Sequence, residues 1–259
     1  MVDTENWTPI DTAINKGNME MIKVLFQYGA NPNHSSEENY SPLNRAILKG
    51  RKEIVKLLIE NGANVNLVDS LDWSPATMAI EKENLEILNI LIDNGADLDL
   101  IDGINRPLIN HAISKGNQDI MRLMVEKGAN VNLIDNNGWT PLCLAIYKHK
   151  IEIVQFLVAN GANPNLLDGN GESPLTRVVI AQNLELVKLL VEKGSKINAL
   201  DGDGCLPFHD AVTSSDTKMI KYFLQIGAPL NLRNVDGNNA IEMALTTKNQ
   251  HAVKMLILK

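Results

Sequence analysis

The sequence predicts an all-α repeat protein, a stack of small helical units whose hydrophobic core runs along the whole array. Three observations carry this. The pair Gly-Ala recurs at Gly29-Ala30, Gly62-Ala63, Gly95-Ala96, Gly128-Ala129 and Gly161-Ala162, and the same slots hold Gly194-Ser195 and Gly227-Ala228, each 33 residues after the last. A hydroxyl residue followed by proline recurs in the same register at Thr8-Pro9, Ser41-Pro42, Ser74-Pro75, Thr140-Pro141 and Ser173-Pro174. The period is kept without one insertion, which is the signature of units that bury their apolar faces only against their neighbours.

Within one unit, residues 135–167, each element has a local cause. Thr140 can cap a first helix by accepting a bond from a backbone N–H of its opening turn, and Pro141 follows where a missing N–H costs nothing. A second helix carries Ile153, Val154, Phe156, Leu157 and Val158, a stripe wide enough to face both its partner helix and the next unit. Gly161 ends that helix by taking the left-handed conformation cheaply. The stretch from Ala162 to Gly171, with its Asp168-Gly169-Asn170-Gly171 cluster, is a turn-rich linker to the next Ser-Pro.

These residues resemble the ankyrin repeat family, whose motif is Gly-x-Thr-Pro-Leu-His-x-Ala, a helix pair, and Gly-Ala-Asp/Asn-x-Asn. The match spans residues 3 to 259 as eight units, roughly 3–35, 36–68, 69–101, 102–134, 135–167, 168–200, 201–233 and 234–259, in a single domain over 1–259. The motif alanine is Ala13, Ala46, Ala79, Ala112, Ala145, Ala211 and Ala244, with Val178 as the replacement. The resemblance implies an α-solenoid of helix pairs with hairpin fingers at right angles to them. Departures are informative. The motif histidine survives as His209, its slot otherwise holding Asp11, Asn44, Thr77, Asn110, Cys143, Thr176 and Glu242, polar groups able to tie the helix start to neighbouring backbone. In unit four Pro107 and Leu108 replace Thr-Pro, which predicts a distorted helix start. The eighth unit ends in Met255, Leu256, Ile257 and Leu258, an apolar finish where terminal repeats turn polar, so that end is either covered or continued in a longer chain.

Composition bounds the function. With 44% hydrophobic and 21% charged residues the chain folds. Cys143 and Cys205 fall in units five and seven, and layers about 8–10 Å apart put them beyond the ~7 Å reach of a disulfide. No apolar run approaches the ~18 residues of a membrane span, and Met1 leads directly into Asp3 without a signal segment. The expectation is a soluble, monomeric, cytoplasmic protein. A net charge of -7 argues against general affinity for nucleic acid or anionic membrane. The five histidines are scattered singly, no Cys or His pair has ligand spacing, and the Gly-Asp-Gly runs open no phosphate-binding helix. Asp69, Asp102, Asp135, Asp168 and Asp201 recur at the period to bond their own turns, and Cys143 lacks a base. No enzyme, metal or cofactor is expected.

A repeat fold fixes its buried positions, so regularity at exposed ones marks function. The residue before each Thr/Ser-Pro is Trp7, Tyr40, Trp73, Arg106 and Trp139 in five units, then Glu172, Cys205 and Asn238. The residue three after the motif alanine is Lys16, Lys49, Lys82, Lys115 and Lys148, then Ala181, Ser214 and Thr247. Second-helix lysines have local partners, as in Glu20 with Lys23, Glu53 with Lys56 and Glu185 with Lys188, whereas the five ladder lysines have no acid four residues before them. The aromatics can be explained as stacking on the next finger and the lysines as a solvated face. The functional reading is a groove on the concave face of repeats 1–5, which the resemblance makes the usual partner surface, with Tyr147 and Arg106 in the same patch. Aromatic and basic anchors of this kind recognise an acidic, partly apolar segment of another protein, as in a scaffold, effector or enzyme inhibitor. The alternative is a nucleotide or oligonucleotide sensor, since aromatics beside lysines also suit bases and phosphates.

Overall fold

The computed structural model describes residues 7–34, 40–70, 72–103 and 105–258, which fall into two compact units, 1–136 and 137–259. The first unit contains four helix pairs, α1 (Pro9–Lys16) with α2 (Met19–Gln27), α3 (Pro42–Leu48) with α4 (Lys52–Glu60), α5 (Pro75–Glu81) with α6 (Leu85–Asp93), and α7 (Leu108–Lys115) with α8 (Gln118–Glu126). The second contains α9 (Pro141–Tyr147) with α10 (Ile151–Ala159), α11 (Pro174–Ile180) with α12 (Leu184–Glu192), α13 (Pro207–Thr213) with α14 (Thr217–Gln225), and α15 (Ala240–Thr246) with α16 (Gln250–Ile257). Inside each unit a first helix packs on its own second helix and on the next first helix, while successive second helices touch more sparsely.

Helices this short are marginal in isolation, so caps and burial hold them. Thr8, Ser41, Ser74, Thr140 and Ser173 each accept a bond from the N–H three residues on, at 3.0–3.3 Å. A cap of this type contributes about 1 kcal/mol. In repeat 4 the expected distortion is absent. With Pro107 as the cap residue, α7 begins in the register of the other first helices and lacks only the side-chain cap bond. In repeat 7 His209 stands in for the missing cap, its Nδ1 accepting from the Leu206 N–H at 3.3 Å. The core is columnar. The first-helix residues Ile14, Ile47, Ile80, Ile113, Ile146, Val179 and Val212 are all buried, as are Ile22, Val55, Leu88, Met121, Val154, Val187 and Ile220 on the second helices.

The finger asparagines and aspartates hold tight turns. Asp69, Asp102, Asp168 and Asp201 accept from the N–H four residues on at 2.7–3.1 Å, and Asn234 does the same for Asn238. The fingers are therefore turns rather than strand hairpins. Among the described residues the β character is one isolated bridge, Ile101 to Pro107. A second set of turns follows the first helices, where residues 17, 50, 83, 116, 149, 182, 215 and 248 all adopt positive φ. The first unit places glycine at Gly17, Gly50 and Gly116 of this column. The second uses His149, Gln182, Ser215 and Lys248, side chains that strain a left-handed backbone.

Candidate interaction surface

The columns singled out in the sequence lie at the starts and ends of the first helices. Trp7, Tyr40, Trp73, Arg106 and Trp139 are all half-buried, and Lys16, Lys49, Lys82, Lys115 and Lys148 are all exposed. The indoles have internal partners. The Arg45 guanidinium from repeat 2 lies 4.3 Å from the Trp7 ring centre, and that of Arg177 from repeat 6 lies 4.3 Å from Trp139. Tyr147, 59% exposed, packs against Trp139 with ring centres 5.0 Å apart. Trp73 is fixed through its backbone, its N–H bonded to Asp69 Oδ1 at 3.0 Å and its carbonyl accepting from Asn44 Nδ2 at 2.9 Å. The Arg106 N–H is held by Asp102 Oδ1 at 2.7 Å.

These cations belong to the column four residues before the ladder lysines. Arg45, His111 and Arg177 occupy the fourth residue of the first helix in repeats 2, 4 and 6, each 38 residues after Trp7, Trp73 and Trp139. The alternation over two repeats is visible in the sequence once positions are compared across neighbouring units rather than within one. Each cation also meets carboxylates. Arg45, only 3% exposed, places Nε 3.3 Å from the fully buried Asp11. His111 bridges Asp102 Oδ2 at 2.7 Å and Glu81 Oε1 at 3.0 Å. Arg177 pairs with Asp168 through Nε and with Glu172 at 3.2 Å.

Burial alone would lift the Asp11 carboxyl, but bonds from His34 at 2.9 Å and Thr8 at 2.6 Å hold it below its ordinary value, and the Asp11 bond correspondingly raises His34. Glu81 behaves alike, burial being outweighed by Lys115 and His111.

Lys115 corrects the expectation of an unpaired ladder. It reaches Glu81 Oε2 at 2.5 Å, a partner from the preceding repeat that a search within one helix misses. Lys16, Lys49, Lys82 and Lys148 make no ion pair among the described residues, whereas Lys23, Lys52, Lys56 and Lys127 are all bonded to carboxylates. Of the local second-helix pairs, Glu20 with Lys23 and Glu53 with Lys56 form. Lys188 instead sits 5.9 Å from the Tyr222 ring.

The second unit is acidic around repeats 6 and 7. Burial, with Asp201, Glu172 and Asp203 nearby, pushes the Asp210 carboxyl up to about 7, and burial raises Glu172 against the pull of Arg177. Both cysteines are free, and burial lifts the Cys143 thiol to about 12, removing it as a nucleophile at neutral pH. Among the described residues no group of three His, Cys, Asp or Glu side chains could hold a metal ion, and no helix is long and apolar enough to cross a membrane.

A family profile described as Ankyrin repeats (3 copies) matches residues 1–69, 76–168, 150–234 and 175–259. Among solved structures, the ankyrin repeat domain of Bcl-3, described as a unique member of the IκB protein family, is similar to this chain. The TM-score is 0.76 at 24% identity, over 85% of this chain and 99% of that one. No curated protein matches the chain in sequence. The repeat register, the helix pairs and the profile that matches them along the chain agree, and the chain belongs to the ankyrin repeat family.

Proposed function

We propose that the chain is a non-catalytic protein-binding module whose exposed lysine column recognises an acidic segment of a partner. Ankyrin repeats are protein-interaction modules, and the observation that carries the finer reading is a difference in how lysines are used. Lysines elsewhere in the first unit, Lys23, Lys52, Lys56 and Lys127, are neutralised by neighbouring carboxylates, whereas second-unit lysines such as Lys150, Lys193 and Lys196 make no ion pair among the described residues. Lys16, Lys49 and Lys82 recur one repeat apart, exposed, without such a carboxylate. Like charges spaced this way repel, and an anionic ligand laid along them relieves the repulsion. Half-buried Trp73 supplies an apolar contact in the same unit. Trp139, Tyr147 and Lys148 in the second unit offer a smaller cluster of the same kind.

The internal arginines weigh against a base-stacking ligand. One face of Trp7 and of Trp139 is already occupied by a guanidinium, so a nucleobase would have to displace a cation–π contact of about 0.5–2 kcal/mol before stacking. The two unbridged thiols fit a reducing, cytoplasmic setting.

The test is affinity capture from lysate with quantitative mass spectrometry, comparing the native chain with the triple substitution Lys16→Glu, Lys49→Glu and Lys82→Glu. These side chains make no ion pair among the described residues, so the variant should keep its fold by circular dichroism. Acidic partners should be lost from the captured set. An unchanged set would remove the lysine column from the interface.

A further inference from the structure

The slot that places Arg45 over Trp7 and Arg177 over Trp139 is filled differently one repeat further on. Residues 38 apart meet there, and in repeats 6 and 7 they are Glu172 and Asp210, two carboxyls where those pairs have an indole and a guanidinium. Asp201 and Asp203 act on Asp210 from the finger of repeat 7. Among the described residues one cation pairs with this group, Arg177 with Glu172 at 3.2 Å, and its Nε already serves Asp168. Asp210 Oδ2 is shielded from solvent and receives no hydrogen bond among the described residues.

Enclosing a carboxyl among like charges costs stability. The column does not ask for it, since Met78, Leu144 and Met243 hold the position of Asp210 in other repeats. An acid kept where an uncharged side chain fits is available to a cation that the chain itself does not supply.

The surface beside these acids is apolar without an internal reason. Ile180 ends α11 three residues after Arg177, on the same side of the helix, and is 53% exposed. Its column also holds the polar residues Asn15, Glu81, Ser114, Thr213 and Thr246, so burial does not dictate an aliphatic side chain there. Leu200, 49% exposed, precedes Asp201 on the finger. The next finger puts Arg233 at that position, bonded to Glu242 at 2.8 Å, so the position takes a charge and the fold stays intact. Exposed aliphatic side chains around an unpaired carboxyl suit a ligand that is cationic at one point and apolar beside it.

We infer that repeats 6 and 7 dock an arginine-bearing segment of another protein, its guanidinium entering between Glu172 and Asp210 and its neighbouring apolar side chains resting on Ile180 and Leu200. A planar guanidinium fits because it can donate to two carboxylates at once, as Arg177 does to Asp168 and Glu172. This surface stands independently of the lysine column in the first unit, whose proposed partner carries the opposite charge.

The probe is a fluorescein-labelled synthetic peptide of alternating arginine and leucine, titrated with the full chain at physiological salt and read by anisotropy. The native chain should bind it, and Asp210→Asn should weaken binding about tenfold while raising the melting temperature at pH 8. A merely structural carboxyl would not move the two readouts in opposite directions. Ile180→Thr, a residue its column already carries, should weaken binding as well. Glu185→Gln, which removes the same charge from a second helix of the same unit, should leave it unchanged. A native chain that ignores the peptide, Asp210→Asn or Ile180→Thr binding as the native chain does, or equal weakening by Glu185→Gln would each overturn the inference.

Discussion

The two units share one repeat template and differ in how they satisfy it. In repeats 1–4 the positive-φ turn after the first helix is built on glycine at three of four positions, and the carboxyls of buried Asp11 and half-buried Glu81 are held below their ordinary values, the first by His34 and Thr8 of its own repeat and the second by Lys115 and His111 of the next. In repeats 5–8 the same turn is built on His149, Gln182, Ser215 and Lys248, and Asp210 sits among Asp201, Asp203 and Glu172 with its carboxyl pushed to about 7. The same columns therefore store strain and like-charge repulsion in one unit and relieve both in the other. The lesson is that the 33-residue period fixes where a residue sits, while the charge at a few helix-start positions decides whether that place is stable or available to a partner.

The comparison breaks first at its arginines. Arg45→Met should cost about 2–4 kcal/mol, because the fully buried Asp11 keeps its bonds from Thr8 and His34 but its Oδ1 loses the guanidinium beside it. Arg177→Met should cost less, about 1–3 kcal/mol, since Asp168 keeps its bonds from the Asn170 and Glu172 N–H groups. Hydrogen exchange resolved by repeat reads both, and equal costs would erase the distinction between the units.

Asp210→Asn sharpens the contrast through pH. A carboxyl whose folded value is raised from 3.8 to about 7 is neutral in both states below pH 3.8, so native stability falls as pH climbs from there to about 7. The amide should raise the melting temperature by a few degrees at pH 8 and leave it unchanged at pH 3.5. A gain at both values would assign the effect to packing instead of charge.

The turn column gives a smaller effect. Gln182→Gly should stabilise the second unit by about 1 kcal/mol, and Gly50→Gln should destabilise the first by a similar amount, measured by urea midpoints at constant slope.

Smallest is His34. Its folded value is raised by the Asp11 bond, so its contribution is fully present below about 6.5, its unfolded value, and fades as pH rises through the folded one. Its side chain is only 18% exposed, but the ring shares Asp11 with Thr8, and the pair should yield about 0.5 kcal/mol. Comparing His34→Ala with the native chain at pH 5.5 and 8.5 should show the larger loss at pH 5.5.

The period made the helix pairs, the caps and the turn-holding aspartates legible, because each is a local consequence of residues a few places apart. Repeat 4 starts its helix in register despite Pro107, since packing by Leu108 and Ala112 outweighs one missing cap. What stayed hidden was relational. Arg45 over Trp7, Arg177 over Trp139 and Glu81 against Lys115 each join residues 34 or 38 apart, beyond any single-helix pattern. The left-handed turn was hidden too, because His149 and Gln182 carry none of the glycine that announces it at Gly50.

The central claim is that Lys16, Lys49 and Lys82 are reserved for a partner rather than for the fold. Amine-reactive footprinting of the chain alone and with its captured partners tests it most directly. The account predicts protection of these three lysines on binding while Lys23 and Lys56 label unchanged. Undiminished labelling of the column in the complex would contradict it.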